Sequence, residues 1–389
     1  MTVYLDHAAS TPLRPEAREA WLRATASYGN ASSIHRTGQD ARRLLEESRE
    51  RLAAVLDCDP IEVVLTSGGT ESVNAALKGL WWSRPADRDA IVLPDGEHHA
   101  TLDTAAWLQT HEAASVRPVP LDALGRIEST AFAAALPGAA LATALAANNE
   151  VGTVNDIPGL AAATADVGVP LHVDAVAAFG HVPVAFRAWR GGIRGMRGLC
   201  ALSVSAHKIG GPVGVGALVV ARDAAPVALL HGGGQQRSLR SGTQDVAGAA
   251  AFAVAAECAA AEREGEAARL AALRDRLVGG ILQSVSETEL LGDPQGRLPG
   301  NAHVLFHGAL GETLLFLLDE AGISASTGSA CQAGIPEPSH VVVALGRTQT
   351  EARQVLRFSL GRTSTDADVD TVLVALPAAV ERARAAARR

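Results

Sequence analysis

The sequence predicts an α/β protein: a large domain with a mostly parallel central sheet covered by helices, and a smaller C-terminal α+β domain. Three observations carry that expectation. Strand-like apolar runs alternate with helical ones through the first two-thirds of the chain, the order that produces parallel strands with helical crossovers. From about Glu257 the alternation gives way to a charged amphipathic stretch, "AAEREGEAARLAALRDRLVGGIL", followed by shorter strands and helices. At 389 residues the chain is long enough for about two domains with substantial cores. The large domain is expected over 15–256, and the small one over 257–389 with residues 1–14 docking on it.

Taken in order, "EVVLTS" (62–67) reads as a strand, followed by a helix that opens at "GGTES". "DAIVLP" (89–94) is the next strand, and "HHATLDTAAWLQT" its helix. The uncharged stretch from Ala131 to Ala147 is split by Pro137-Gly138, so it reads as helix, turn and buried strand rather than a membrane span. "ALATALAANN" (140–149) precedes the helix "IPGLAAATADVG", and "VPLHVDAV" (169–176) precedes a turn and later strands. In such a sheet ligands collect at the C-terminal ends of the strands.

Composition excludes several classes. Hydrophobic residues at 48% and charged residues at 20% describe an ordinary globular protein. A formal net charge of -8 argues against non-specific binding to nucleic acid or to an anionic membrane. Asp6 and His7 stand where a secretion signal needs a basic start and an apolar run. The four cysteines, Cys58, Cys200, Cys258 and Cys331, are too scattered for a metal finger, and no HExxH run occurs, so no metal site is expected. Scattered free thiols suit a reducing cytoplasm.

Lysine plus arginine total 34, yet the only lysines are Lys78 and Lys208. Arginine has taken the generic surface roles, so a surviving lysine points to something arginine cannot do, such as losing its proton and forming a Schiff base with an aldehyde. Lys78 ends an ordinary helical stretch. Lys208 stands in "LCALSVSAHKIGGPVGVGALVV", in a glycine-rich turn between two apolar runs, and is the candidate for chemistry.

Other strand ends carry residues that suit one cofactor. The "GGTES" turn offers Gly69, Thr70 and free amides at a helix start, a place for phosphate, although simple capping by Thr66, Ser67 or Thr70 would use the same residues. Asp174 ends an apolar strand and is costly there unless a cation pairs with it; a protonated pyridine nitrogen would serve, as would a salt bridge or a helix cap. His98 in "DGEHHATLDT" could stack on a flat ring and shuttle protons. Ser205 and His207 flank Lys208 and could add phosphate or ring contacts, and Asn149 could meet a phenolic oxygen. Arg357, inside an apolar strand, could grip a carboxylate or pair with a local acid. An imine-forming lysine, a carboxylate for a pyridinium and a phosphate cup together describe pyridoxal 5′-phosphate.

The segments "YLDHAASTP", "GNASSIHRTG", "TSGGTESVN", "GEHHATLDT", "NNEVGTVNDI", "HVDAVAAFG", "SAHKIGGPVGVGAL", "HGGGQQRSLRSGT", "STGSACQAG" and "LRFSLGR" resemble, in order, those of the cysteine desulfurases. These NifS/IscS-like proteins form part of the class V aminotransferase branch of fold-type I pyridoxal-phosphate transferases. The resemblance implies that Lys208 carries the cofactor, Asp174 pairs with its ring nitrogen and His98 stacks over the ring. It also implies phosphate contacts from Gly69, Thr70, Ser205 and His207, and a ring-hydroxyl contact from Asn149. Thr243 would reach the phosphate of a neighbouring subunit, which implies a homodimer. Arg357 would bind the carboxylate of L-cysteine, with Asn30 nearby. Cys331 would take the sulfur as a persulfide and pass it to an acceptor protein, an iron–sulfur scaffold or a thiolation enzyme. Two positions depart from the pattern: Ala177 stands where relatives have glutamine, and "SAHK" replaces "SGHK" through Ala206.

"ASTGSACQAG" surrounds Cys331 with small residues, a composition for a segment that moves rather than a core, whereas Cys58, Cys200 and Cys258 have the surroundings of structural thiols. A selenocysteine lyase or an aminotransferase would share Lys208, Asp174 and His98, so Cys331 separates these readings. A non-catalytic scaffold protein would draw its support from Ala177.

Overall fold

The computed structural model describes residues 2–26, 28–328 and 337–388. The chain opens with β1 (Val3–Tyr4), α1 (Pro15–Thr25) and α2 (Arg36–Leu56). The alternating region follows: β2 (Val63–Thr66), α3 (Gly69–Trp82), β3 (Ala90–Pro94), α4 (His99–Glu112), β4 (Ser115–Val119) and α5 (Ser129–Ala135). Next come β5 (Leu141–Leu145), α6 (Ile157–Asp166), β6 (Pro170–Asp174), α7 (Phe186–Arg190), β7 (Gly198–Ser205) and β8 (Gly216–Val220). Helix α8 (Val246–Ser284) leads to β9 (Thr288–Leu291), β10 (Asn301–Phe306), α9 (Gly311–Glu320) and β11 (Ile323–Ser324). The last elements are α10 (His340–Ala344), β12 (Val355–Ser359) and α11 (Asp366–Ala387).

Seven strands form the central sheet in the order β2-β8-β7-β6-β5-β3-β4. The pairs from β7 through β4 are parallel, while β8 is antiparallel to both β7 and β2. The expected mostly parallel sheet is therefore present, with a mixed edge. Strands β2, β3, β5, β6, β7 and β8 are buried along their whole length, which is why they read as largely apolar runs. The alanine-rich stretch resolves into α5, a turn at Pro137-Gly138 and β5. Among the described residues no helix is long and apolar enough to cross a membrane.

Three central strands are strapped together beneath their C-terminal ends. The ring of His172 in β6 is fully buried, with Nδ1 3.0 Å from Thr143 Oγ1 in β5 and Nε2 2.8 Å from Ser203 Oγ in β7. Burial drives its pKa down to about 3, so the ring is neutral and both nitrogens are used.

A second sheet, β12-β10-β9, is antiparallel and packs Phe306, Phe358, Leu318 and Leu376 into a separate core. Strand β1 pairs with β11, and Val3 and Leu5 belong to that second core. The charged stretch after Glu257 is only the latter part of α8, which spans 39 residues from Val246. Its first turns, around Phe252 and Ala256, are buried in the main core, and Leu270, Leu273 and Leu277 enter the second one. A helix start buried on all sides carries no amphipathic period, so the sequence pattern begins late.

Candidate active site

The ends of β5 and β6, the β7–β8 turn, the starts of α3 and α4, and the N-terminal segment surround a cavity of about 370 Å³. Gly69, Thr70, His98, Asn149, Asp174, His207, Lys208 and Arg357 all line it. A larger groove of about 620 Å³, lined by Arg42, Arg49 and residues 233–237, contains none of these groups.

Lys208 follows β7, and its ammonium donates to the carbonyls of Ala8 and Ala9. Burial lowers its pKa to about 8, helped by the charge of Arg357 and opposed by Asp6 and Asp174. An amine so poised is far readier to act as a nucleophile or base near neutral pH than an exposed lysine.

Asp174 ends β6 and is 3% exposed, with Oδ1 accepting a hydrogen bond from the Val176 amide at 2.9 Å. Burial raises its pKa to about 6, while that amide and Lys208 act in the opposite direction. Among the described residues it has no ion-pair partner, so the salt-bridge alternative does not account for it. A bound cation would.

His98 caps α4 by accepting the Ala100 amide at Nδ1, 3.0 Å away, which leaves the ring proton on Nε2. Burial, reinforced by Lys208, holds its pKa down at about 4. His207 is lowered to about 4 for the same two reasons. Both rings are neutral at physiological pH.

Helix α3 begins at Gly69, and its cap residue Gly68, at φ +150, has no side chain to accept the leading amides. Those amides are available to an anion. Ser205 is buried at the end of β7 and does not line the cavity, and its hydroxyl has no partner among the described residues. Asn149 Oδ1 and Arg357 Nε are likewise buried and without a partner among the described residues. Such orphans cost about 1–3 kcal/mol each, which a polar ligand would recover.

Arg357, in β12, is 4% exposed and gives Nη1 to the Asn149 carbonyl at 2.8 Å and Nη2 to Asp6 Oδ1 at 2.9 Å. An ion pair is present, but with the distant Asp6 rather than a local acid, and a donor is still unused. Ala177 lines the cavity, and Ala206 is fully buried. A Cβ on Gly211 would lie 2.7 Å from the Ala206 methyl, so that glycine makes room for the departure from "SGHK".

Asn30 and Thr243 are exposed and do not line this cavity. Asn30 Oδ1 instead accepts the Ser32 amide at 2.9 Å. Cys331 lies outside the described residues. Burial pushes the Cys58 thiol up to about 12 and raises Cys200 and Cys258, so these three are poor nucleophiles. Cys258 is only partly buried, because its helix face borders solvent there.

Residues not singled out from sequence also surround the site. Glu97 is fully buried, its Oε1 accepting the Leu145 amide at 2.7 Å, and burial together with Asp174 raises it to about 8. His340 lines the cavity, with Nε2 2.9 Å from the Glu97 carbonyl and its ring edge-on to His99. Asp6 and Glu97 both fall inside quoted motifs, but a carboxylate's partner far along the chain leaves no local signal.

The class V aminotransferase family model matches residues 3–372. An IscS-like cysteine desulfurase of Mycobacterium tuberculosis is 49% identical over 99% of this chain and 98% of its own. A cysteine desulfurase of Gluconacetobacter diazotrophicus is 40% identical over 98% of this chain and 94% of its own. A solved NifS-like protein superposes with a TM-score of 0.90 at 30% identity, over 98% of this chain and 100% of its own. Agreement of this extent in both sequence and fold means that the chain belongs to the class V aminotransferase family, among the NifS- and IscS-like cysteine desulfurases.

Proposed function

We propose that this cysteine desulfurase acts on L-cysteine with pyridoxal 5′-phosphate held by Lys208, and that Cys331 receives the sulfur. The observation that carries this reading is the single cavity shared by Lys208 and Asp174, a buried carboxylate with no ion-pair partner among the described residues. The donor set fits the cofactor. The α3 amides at Gly69 and Thr70, with Ser205 and His207, suit the phosphate; the Asn149 side chain suits the ring hydroxyl; and Asp174 suits the ring nitrogen.

When bound, the cofactor supplies an electron sink for the pair left at Cα. Lys208, as a free amine, takes the Cα proton. Asp174 keeps the ring nitrogen protonated, and the neutral His98 ring covers the face and moves a proton at Nε2. Arg357 receives the substrate carboxylate at its unused donor. The Cys331 thiolate attacks the substrate sulfur: the S–S bond forms as Cβ–S breaks, and the carbon fragment keeps the bond pair and is protonated to L-alanine. The persulfide then passes to an acceptor protein, an iron–sulfur scaffold or a thiolation enzyme. Thr243 completes the phosphate site of a partner subunit in a homodimer, and the enzyme works in the cytoplasm.

The test compares wild type with Cys331→Ala while alanine, sulfide and the cofactor's visible absorbance are followed after adding L-cysteine. The expected result is equimolar alanine and sulfide from wild type with a reductant present, and neither from the variant despite an unchanged absorbance response. Undiminished sulfide release by the variant would favour a lyase that does not use this thiol.

A further inference from the structure

The N-terminal segment is part of the cavity rather than a tail lying over it. The Ser359 amide donates to the Leu5 carbonyl at 2.8 Å, and the Ser359 carbonyl accepts the His7 amide at 3.2 Å. The Ala8 amide donates to Ser359 Oγ at 2.9 Å, and the Thr11 amide to the His207 carbonyl at 3.2 Å. Asp6 is thereby fixed between the strand of Arg357 and the turn of Lys208. Tyr4 Oη holds the far side of this loop, donating to the carbonyls of Asp6 and Ser10 at 3.1 and 2.7 Å.

The Asp6 side chain is 22% exposed, while that of Arg357 is 5% exposed. A guanidinium buried to that degree needs a counter-charge, and Asp6 is the acid that pairs with it. The fork is held at two points, Nη1 by the Asn149 carbonyl and Nη2 by Asp6, and Nε is left buried without a partner among the described residues. Two fixed points set the plane of a guanidinium. The remaining edge then faces one class of ligand, a planar anion that accepts in that plane.

We propose that Asp6 is a positioning residue for the α-carboxylate of the amino-acid substrate. It aligns Arg357 and neutralises part of its charge, so that recognition requires the in-plane hydrogen bonds of a carboxylate rather than attraction to a bare cation. This proposal rests on the reading of Arg357 as the carboxylate site.

The test uses the cofactor-loaded full chain and two amines, L-alanine and ethylamine, which differ by the carboxylate. Their binding is read from the cofactor's visible absorbance without turnover. Asp6→Ala should weaken L-alanine about tenfold, the weight of one charge-assisted hydrogen bond, while ethylamine is unchanged. The KM for L-cysteine should rise by a similar factor, with kcat within about threefold of wild type. Asp6→Asn keeps an oxygen acceptor for Nη2 and should recover most of the loss. Equal weakening of both amines, or an unchanged L-alanine affinity, would overturn the proposal. Arg357→Ala separates the two ideas. If it leaves L-alanine binding intact, the carboxylate reading fails and takes the proposal with it; if it weakens L-alanine while Asp6→Ala does not, the role of Asp6 alone fails.

Discussion

Lys208 and Asp174 line one cavity, the amine drawn down to about 8 and the carboxyl raised to about 6, both chiefly by burial. Neither forms an ion pair with a described residue. Two buried groups of opposite sign, each shifted toward neutrality, leave a space whose electrostatics a cationic ring bonded to the amine would complete.

Asp174→Asn tests that relationship without changing shape. The amide cannot hold a proton on a ring nitrogen, so turnover of L-cysteine should fall at least about a hundredfold. The Val176 amide still finds an oxygen acceptor, so the melting temperature of the cofactor-free protein should hold or rise. Retention of activity, measured as alanine formed per enzyme, would argue against the assigned role.

Ala177→Gln introduces the glutamine that the resemblance to cysteine desulfurases implies at this position. Ala177 is only partly buried and lines the cavity, so a longer side chain has room to reach into it. The variant should retain cofactor more strongly on dialysis and show a shifted pH dependence of its visible absorbance. Unchanged retention and an unchanged spectrum would mean that the alanine is neutral.

Ser203→Ala removes the partner of His172 Nε2 in the fully buried strap across β5, β6 and β7. Leaving that nitrogen orphaned should cost about 1–3 kcal/mol in urea unfolding with little change in the slope. A loss below about 0.5 kcal/mol would show that the strap contributes packing rather than hydrogen bonding.

Glu97 gives a pH-dependent prediction. Its folded pKa of about 8 stands above the ordinary glutamate value of 4.5, so its contribution to stability is full below 4.5 and is lost as pH rises through 8. Glu97→Gln removes that dependence. Relative to wild type, the variant should gain stability steadily as pH is raised across this window, read by urea midpoints. Parallel midpoints would show that the carboxyl ionises normally.

The fold was largely legible because strands buried on both faces are mostly apolar, and some of them, such as β3 and β6, end at or next to a carboxylate. Asp174 and Asn149 stand out against such runs, and Lys208 stands out because arginine has replaced lysine elsewhere. The early turns of α8 were not legible, since a buried alanine-rich helix has no polar face to mark its period. Nor was the pairing of Asp6 with Arg357, which lie 351 positions apart in the chain. Glu97 and His340 are joined across 243 positions by a ring-to-carbonyl hydrogen bond that no sequence pattern announces. Local patterns show which residues are unusual, and only the fold shows which of them meet.

Borohydride reduction of the cofactor-loaded protein, followed by peptide mass mapping, tests the central claim most directly. The account predicts a stable pyridoxyl adduct on Lys208, and none on Lys78, whose ammonium lies 4.3 Å from the centre of the Trp107 ring. A reduced adduct elsewhere, or a protein that loads the cofactor yet yields no adduct, would contradict it.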